Sequence, residues 1–205
     1  SESNRPAMHI THYLQEQMRR IGIQRIPQPS VNWMEGSTKL TESIKRPYAL
    51  AIAGGSIKNS SNRWHTYGFV DVVEWLHSQG YQTILIGDPD DSRKTNQIVN
   101  ECRTTRPLNL TGKTSVADIA SLARNAALTY GNDSGPLHLA AMTGCPTLML
   151  VSERGYPELN APLVDNLVTL EENDLNRLES EDVLNVIKDI LALDSEEKAD
   201  KPAIS

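Results

Sequence analysis

The groups best able to do chemistry cluster in one stretch, Gly131-Asn132-Asp133-Ser134-Gly135-Pro136-Leu137-His138-Leu139-Ala140-Ala141. It follows an apolar run, Ala126–Tyr130, and leads into a short helix expected over Pro136–Met142. Pro136 suits a first helical turn, where its missing N–H costs nothing, and Asp133 or Ser134 is a natural cap. Gly135 lets a backbone approach a ligand closely. Free amides and the dipole at a helix start favour an anion, most plausibly phosphate. Spacing alone fits an ordinary strand-to-helix turn equally well. His138 lies four residues beyond Ser134, about one turn along on the same face. There it could donate to a phosphate or a sugar hydroxyl, or serve as a core histidine bonded to backbone.

Gly54-Gly55-Ser56, followed by Lys58, Asn59, Ser60, Ser61, Asn62 and Arg63, forms a second anion candidate. Small residues admit a ligand's approach, while Lys58 and Arg63 supply charge. No Gly-Lys-Ser/Thr closes this loop and no G-x-G-x-x-G is present, so neither a Walker loop nor a dinucleotide fingerprint is read here. A solvated loop is the plain alternative. Asp88, Asp90 and Asp91 could accept from ribose hydroxyls or cap a helix at Ser92. No Cys/His cluster has metal spacing, and His9 and His12 read as helix-surface residues.

These loops need a scaffold, and the hydropathy pattern supplies one. Tyr48–Ala53 and Gln82–Ile86 read as buried strands, with shorter strands at Leu108–Leu110, Ala126–Tyr130, Pro146–Val151 and Leu167–Leu170. Helices fall between them. One carries Phe69, Val72, Val73 and Leu76 at i, i+3, i+4 and i+7. A polar one covers Ser92–Cys102, one is capped by Ser115, and a last one is capped by Ser180. The fold class is therefore α/β, a Rossmann-like parallel sheet with helices on both faces, whose ligands bind at the carboxyl ends of strands. The sheet domain is expected over 48–194. Residues 1–47 read as a helix (Met8–Ile21, with Ile10, Tyr13, Leu14, Met18 and Ile21 on one stripe) and an irregular connector. A flexible tail is expected over 195–205.

Composition narrows the function. Of 205 residues, 26 are acidic and 20 basic, giving a formal charge of −6, which argues against a nucleic-acid binder. Residues 171–201 hold 11 acidic and 4 basic side chains, so the rest is close to neutral and can still gather a basic pocket. Two cysteines fit a reducing compartment. No apolar run approaches the ~18 residues of a membrane span, and no signal peptide opens the chain, so a cytoplasmic protein is expected.

Several of these stretches, in this order, resemble glycosyltransferase family 9, which includes the ADP-heptose:lipopolysaccharide heptosyltransferases. They are Gly54-Gly55-Ser56 with Arg63-Trp64, Gly87-Asp88-Pro89-Asp90, Asn109–Ile119 and Gly131–Ala141. The resemblance runs from about Tyr48 to Pro162, and Met8–Ile21 is similar to the family's interdomain helix. It implies the C-terminal, donor-binding half of a two-domain GT-B enzyme. The implied reaction is an inverting, metal-independent transfer, with no cofactor, from a nucleotide-diphospho-sugar such as ADP-heptose to a lipopolysaccharide or other saccharide acceptor. The implied donor site comprises Asp133, Ser134, Gly135 and His138, the Lys113-Thr114 backbone at adenine, and Asp90 or Asp91 at ribose. Ser56, Lys58 and Arg63 are expected near the phosphates. The family usually carries a lysine just before the Arg/His-Trp pair, and Asn62 stands there instead, with Lys58 or Arg63 as substitutes. The acceptor site and the aspartate that acts as general base belong to an N-terminal domain this chain lacks. That leaves two readings: half of a longer cytoplasmic enzyme, in peripheral contact with the inner membrane and inactive alone, or a stand-alone, non-catalytic nucleotide- or saccharide-binding module.

Overall fold

Four short segments rich in Ile, Leu, Val, Ala and Tyr build the centre of the molecule: β1 (Tyr48–Ile52), β2 (Gln82–Ile86), β4 (Leu128–Asn132) and β5 (Thr147–Ser152). Nearly every residue in them is buried, as strands covered by helices on both faces require. A two-residue β3 (Leu108–Asn109) and an edge strand β6 (Leu167–Glu172) complete the sheet. The computed structural model describes residues 8–27, 29–55, 63–152 and 156–200.

The strand order is β3-β2-β1-β4-β5-β6, every pairing parallel. Chain direction across the sheet therefore reverses between β1 and β4, where the crossovers diverge and leave a crevice at the carboxyl edge. One face is covered by α3 (Thr66–Ser78), α4 (Ser92–Glu101) and α8 (Ser180–Asp200), through Phe69, Val72, Leu76, Ile98, Val183 and Ile187. The other is covered by α5 (Val116–Asn125) and α6 (Gly135–Met142), through Ile119, Leu122, Leu137 and Ala140.

The region before β1 departs from its expected irregularity. It holds a short α2 (Thr38–Glu42) and is tied to α5 by long-range bonds. Gly36 N donates to Ser121 Oγ at 2.7 Å, Ser37 N donates to Asp118 Oδ1 at 2.6 Å, and Arg124 donates to the Val31 and Met34 carbonyls. The Ser37 amide, with Ser115, holds the Asp118 carboxyl below its ordinary pKa. The first helix, α1 (Ile10–Arg20), buries none of its residues. It lies beside α7 (Pro157–Asn160), with His9 Nε2 2.7 Å from the Ala161 carbonyl. α8 runs on to Asp200, through the first residues of the stretch expected to be a flexible tail. Glu196, Glu197, Lys198 and Ala199 are strong helix formers, and they extend a helix already anchored by Val183, Ile187 and Ile190.

Candidate functional site

The crevice between β1 and β4 is held open by an amide and a carboxylate. Asn132, the fully buried last residue of β4, uses all the hydrogen-bonding capacity that matters here. Its Nδ2 donates to the Ala53 and Gly54 carbonyls at 2.9 and 3.0 Å, and its Oδ1 accepts from Trp64 N at 2.9 Å. One side chain thus joins the end of β4 to the loop after β1 and to the segment leading into α3.

Asp91 is the second organiser. It sits in a 3₁₀ turn, Pro89–Asp91, between β2 and α4, and its buried carboxylate accepts from Asp88 N at 3.1 Å. Glycine is required beside it: a Cβ on Gly54 would stand 2.2 Å, and one on Gly87 2.9 Å, from Asp91 Oδ2. The Arg63 guanidinium lies against this carboxylate, 3.5 Å from Oδ1, and donates to the Gly55 carbonyl at 2.5 Å. Behind it, Lys94 Nζ donates to the Trp64 carbonyl at 2.5 Å.

The opposite wall is the turn into α6. Ser134 is extended (φ −166°), and its hydroxyl does not cap the helix but donates to the Asn132 carbonyl at 3.0 Å. Its carbonyl accepts from Leu137 N and His138 N. The side-chain cap that would compete with a ligand at this helix start is therefore absent. Space beside Gly135 is open among the described residues, none of which comes within 4 Å of where a Cβ would stand. Asp133 Oδ1 and His138 Nε2 lie 2.7 Å apart, both about one-third exposed, at the rim. The cavity enclosed by Gly54, Gly55, Gly87, Asp88 and the Asp133–Pro136 turn measures about 290 Å³.

The structure brings Asp133, Ser134 and Gly135 together in this crevice, with His138 paired to Asp133, while Arg63 lines the neighbouring cavity and meets the crevice's edge through the Gly55 carbonyl and Asp91. Ser56 and Lys58 lie outside the described residues. Asp90 does not line the crevice; with Arg63, Arg93 and Lys94 it lines a neighbouring cavity of about 500 Å³. Lys113 and Thr114 stand on the same carboxyl edge, where Gly112 N donates to the Gly87 carbonyl at 2.8 Å, but neither lines the crevice. Lys113 Nζ reaches the Asn109 carbonyl at 3.4 Å. Among the described residues no three His, Cys, Asp or Glu side chains converge as a metal site would need. Sequence reasoning passed over Asn132, Asp91's buried role and Lys94. A polar residue closing an apolar strand marks the first, and the Asp88-x-x-Asp91 spacing of a cap marks the second.

The model of glycosyltransferase family 9 (heptosyltransferase) matches residues 3–184. The chain belongs to that family. Among curated relatives it is 34% identical, over 89 residues, to lipopolysaccharide heptosyltransferase 3 of Escherichia coli; the match covers 42% of this chain and 26% of the relative. It is 30% identical over 131 residues to lipooligosaccharide heptosyltransferase 2 of Haemophilus influenzae, covering 60% and 36%. The chain thus spans about a third or less of the length of these relatives. Among solved structures, E. coli ADP-heptose lps heptosyltransferase II shares the fold with a TM-score of 0.70 at 22% identity, covering 83% of this chain and 56% of that one. E. coli heptosyltransferase WaaC with ADP does so at 0.69 and 16% identity, covering 91% and 58%. The parallel six-stranded sheet of this family member has the same Rossmann-like α/β fold as those structures.

Proposed function

We propose that this chain is the donor-binding half of an inverting, metal-independent glycosyltransferase, holding an ADP-heptose-like nucleotide-diphospho-sugar for transfer to a lipopolysaccharide or other saccharide acceptor. The observation that carries this reading is the convergence, at the β1/β4 reversal, of the Gly54-Gly55 backbone, the Arg63 guanidinium and the start of α6. Small residues there leave room for phosphate oxygens, with helix amides beside them and a cation at the edge, on the Gly55 carbonyl and Asp91.

In the transfer, the bond from the anomeric carbon to the diphosphate oxygen breaks as an acceptor oxygen attacks from the opposite face, and negative charge grows on the departing diphosphate. Groups aimed at that charge stabilise the transition state more than the ground state. Arg63 and the α6 amides would fill this role, while the Asp133–His138 pair at the rim stands where it can meet the diphosphate or the sugar. The base that takes the acceptor's proton belongs, on this reading, to an N-terminal half. The same half would hold the acceptor at the inner membrane.

Titration calorimetry tests the reading. ADP should bind the 205-residue chain at least about tenfold more tightly than adenosine, the effect of one charge-assisted hydrogen bond or more to the phosphates. EDTA should leave the ADP affinity unchanged. Equal binding of ADP and adenosine would overturn the diphosphate site, and loss of ADP binding on chelation would overturn metal independence.

A further inference from the structure

Behind the crevice wall, Arg63, Arg93 and Lys94 line one cavity with Asp90 and Asp91. Arg63 lies against Asp91, and Lys94 Nζ sits on the Trp64 carbonyl. The Trp64 peptide is held at both ends: its N–H donates to Asn132 Oδ1 and its carbonyl accepts from Lys94. Arg63 immediately precedes it, so Lys94 and Asn132 together fix where the guanidinium points. Arg63 Nε is buried and has no partner among the described residues. One donor of this guanidinium thus has no acceptor among the described residues, in a setting of reduced dielectric where positive charge acts strongly on an incoming anion.

We infer that Lys94 is a positioning residue for a phosphate-bearing ligand: its ammonium, through the Trp64 carbonyl and the adjoining Arg63, sets the cation that meets the phosphate. The inference rests on the donor-site reading above and adds a residue to it. Lys94 is well placed for this. Its Nζ lies over the Phe69 ring of α3, 5.1 Å from the ring centre, and the residue lines a cavity bounded by Arg63, His65, Asp90, Asp91, Arg93 and the neutral Asn176. Burial, reinforced by Arg63 and opposed by Asp91, pulls its pKa down to about 8. His65 is also lowered, by burial. The Cys102 thiol and the Tyr48 phenol are pushed up, to about 11 and about 12.

The consequence is a pH dependence in an unusual range. A bound phosphate favours protonated Lys94. If binding raises its pKa by about one unit, ADP affinity falls about tenfold once the pH exceeds both values. A phosphate monoester completes its ionisation near about pH 6, so the ligand itself does not titrate there.

Calorimetry at about pH 7.5 and about pH 9.5 on the wild type, Lys94→Met and Lys94→Arg reads this directly. Wild-type affinity for ADP should fall about sixfold across the interval while adenosine's stays level. Lys94→Met should bind ADP at the lower pH about as weakly as the wild type does at the higher, with no further fall. Lys94→Arg, whose guanidinium stays charged, should keep its affinity at the higher pH. Wild-type affinity and profile in Lys94→Met, or the wild-type fall in Lys94→Arg, would overturn the inference and leave the donor site standing. Absence of ADP binding by the wild type at both pH values would overturn both. Should Lys94→Met not fold, the wild-type profile against that of Lys94→Arg decides.

Discussion

Gly131→Ala should abolish the fold or lower its Tm by roughly 10 °C or more. Gly131 lies in the middle of the sheet, paired with Ile52 of β1, at φ +151°, a conformation L side chains rarely adopt. A Cβ there would stand 2.0 Å from the Ile52 carbonyl oxygen and 2.7 Å from its carbon. Both are backbone atoms of a central strand, so relief requires parting β1 from β4. Such a clash belongs with the rare substitutions that cost about 4 kcal/mol or more, against the 5–15 kcal/mol that holds a typical domain together. Melting curves of Gly131→Ala beside the wild type check it. A soluble variant with an unchanged Tm would contradict the close approach of the two strands.

Asn132→Ala should be the next most damaging change, to both stability and ligand binding. It leaves Trp64 N and the Ala53 and Gly54 carbonyls short of a buried partner. At about 1 kcal/mol or more for each unmade bond, the loss is about 3 kcal/mol, or roughly 6–12 °C in Tm for a domain of this size. Asn132→Asp should not rescue it. A carboxylate keeps the acceptor for Trp64 N but turns an oxygen toward two carbonyls. Both walls of the crevice depend on this amide, so ADP affinity of the folded fraction should fall more than about tenfold, measured by titration calorimetry beside the melting curves. A variant that melts and binds ADP like the wild type would show that the clasp is not what holds the site.

What could be read from the sequence, and what could not, follows from the range over which each signal acts. Strand runs such as YALAI and QTILI and the turn into α6 are local patterns, and they stand in the structure within a residue or two of where the pattern puts them. The bond from Asn132 to Ala53 joins residues 79 apart, and that from Lys94 to Trp64 joins residues 30 apart. No spacing rule reaches that far. The stripe on α1 shows a related limit. Helical period identifies Ile10, Tyr13, Leu14, Met18 and Ile21 as sharing a face, yet all are 42–73% exposed among the described residues. Periodicity reports which side chains lie together, not what lies opposite them. Asp90 and Asp91 show a second limit. In a 3₁₀ turn neighbouring side chains point apart, so the carboxylate that organises the crevice is Asp91, and Asp90 faces the adjoining cavity.

The measurement that bears most directly on the phosphate site is ADP affinity in Gly135→Ala, by titration calorimetry, with a melting curve of the same sample. Among the described residues nothing occupies the place of the added methyl, and φ there is ordinary, so the variant should melt as the wild type does or slightly higher, alanine being the better helix former. A diphosphate resting on the start of α6 would meet that methyl. ADP affinity should then fall about tenfold or more while adenosine binding is unchanged. Wild-type ADP affinity in a variant of wild-type stability would mean that no phosphate lies at the Asp133–Pro136 turn.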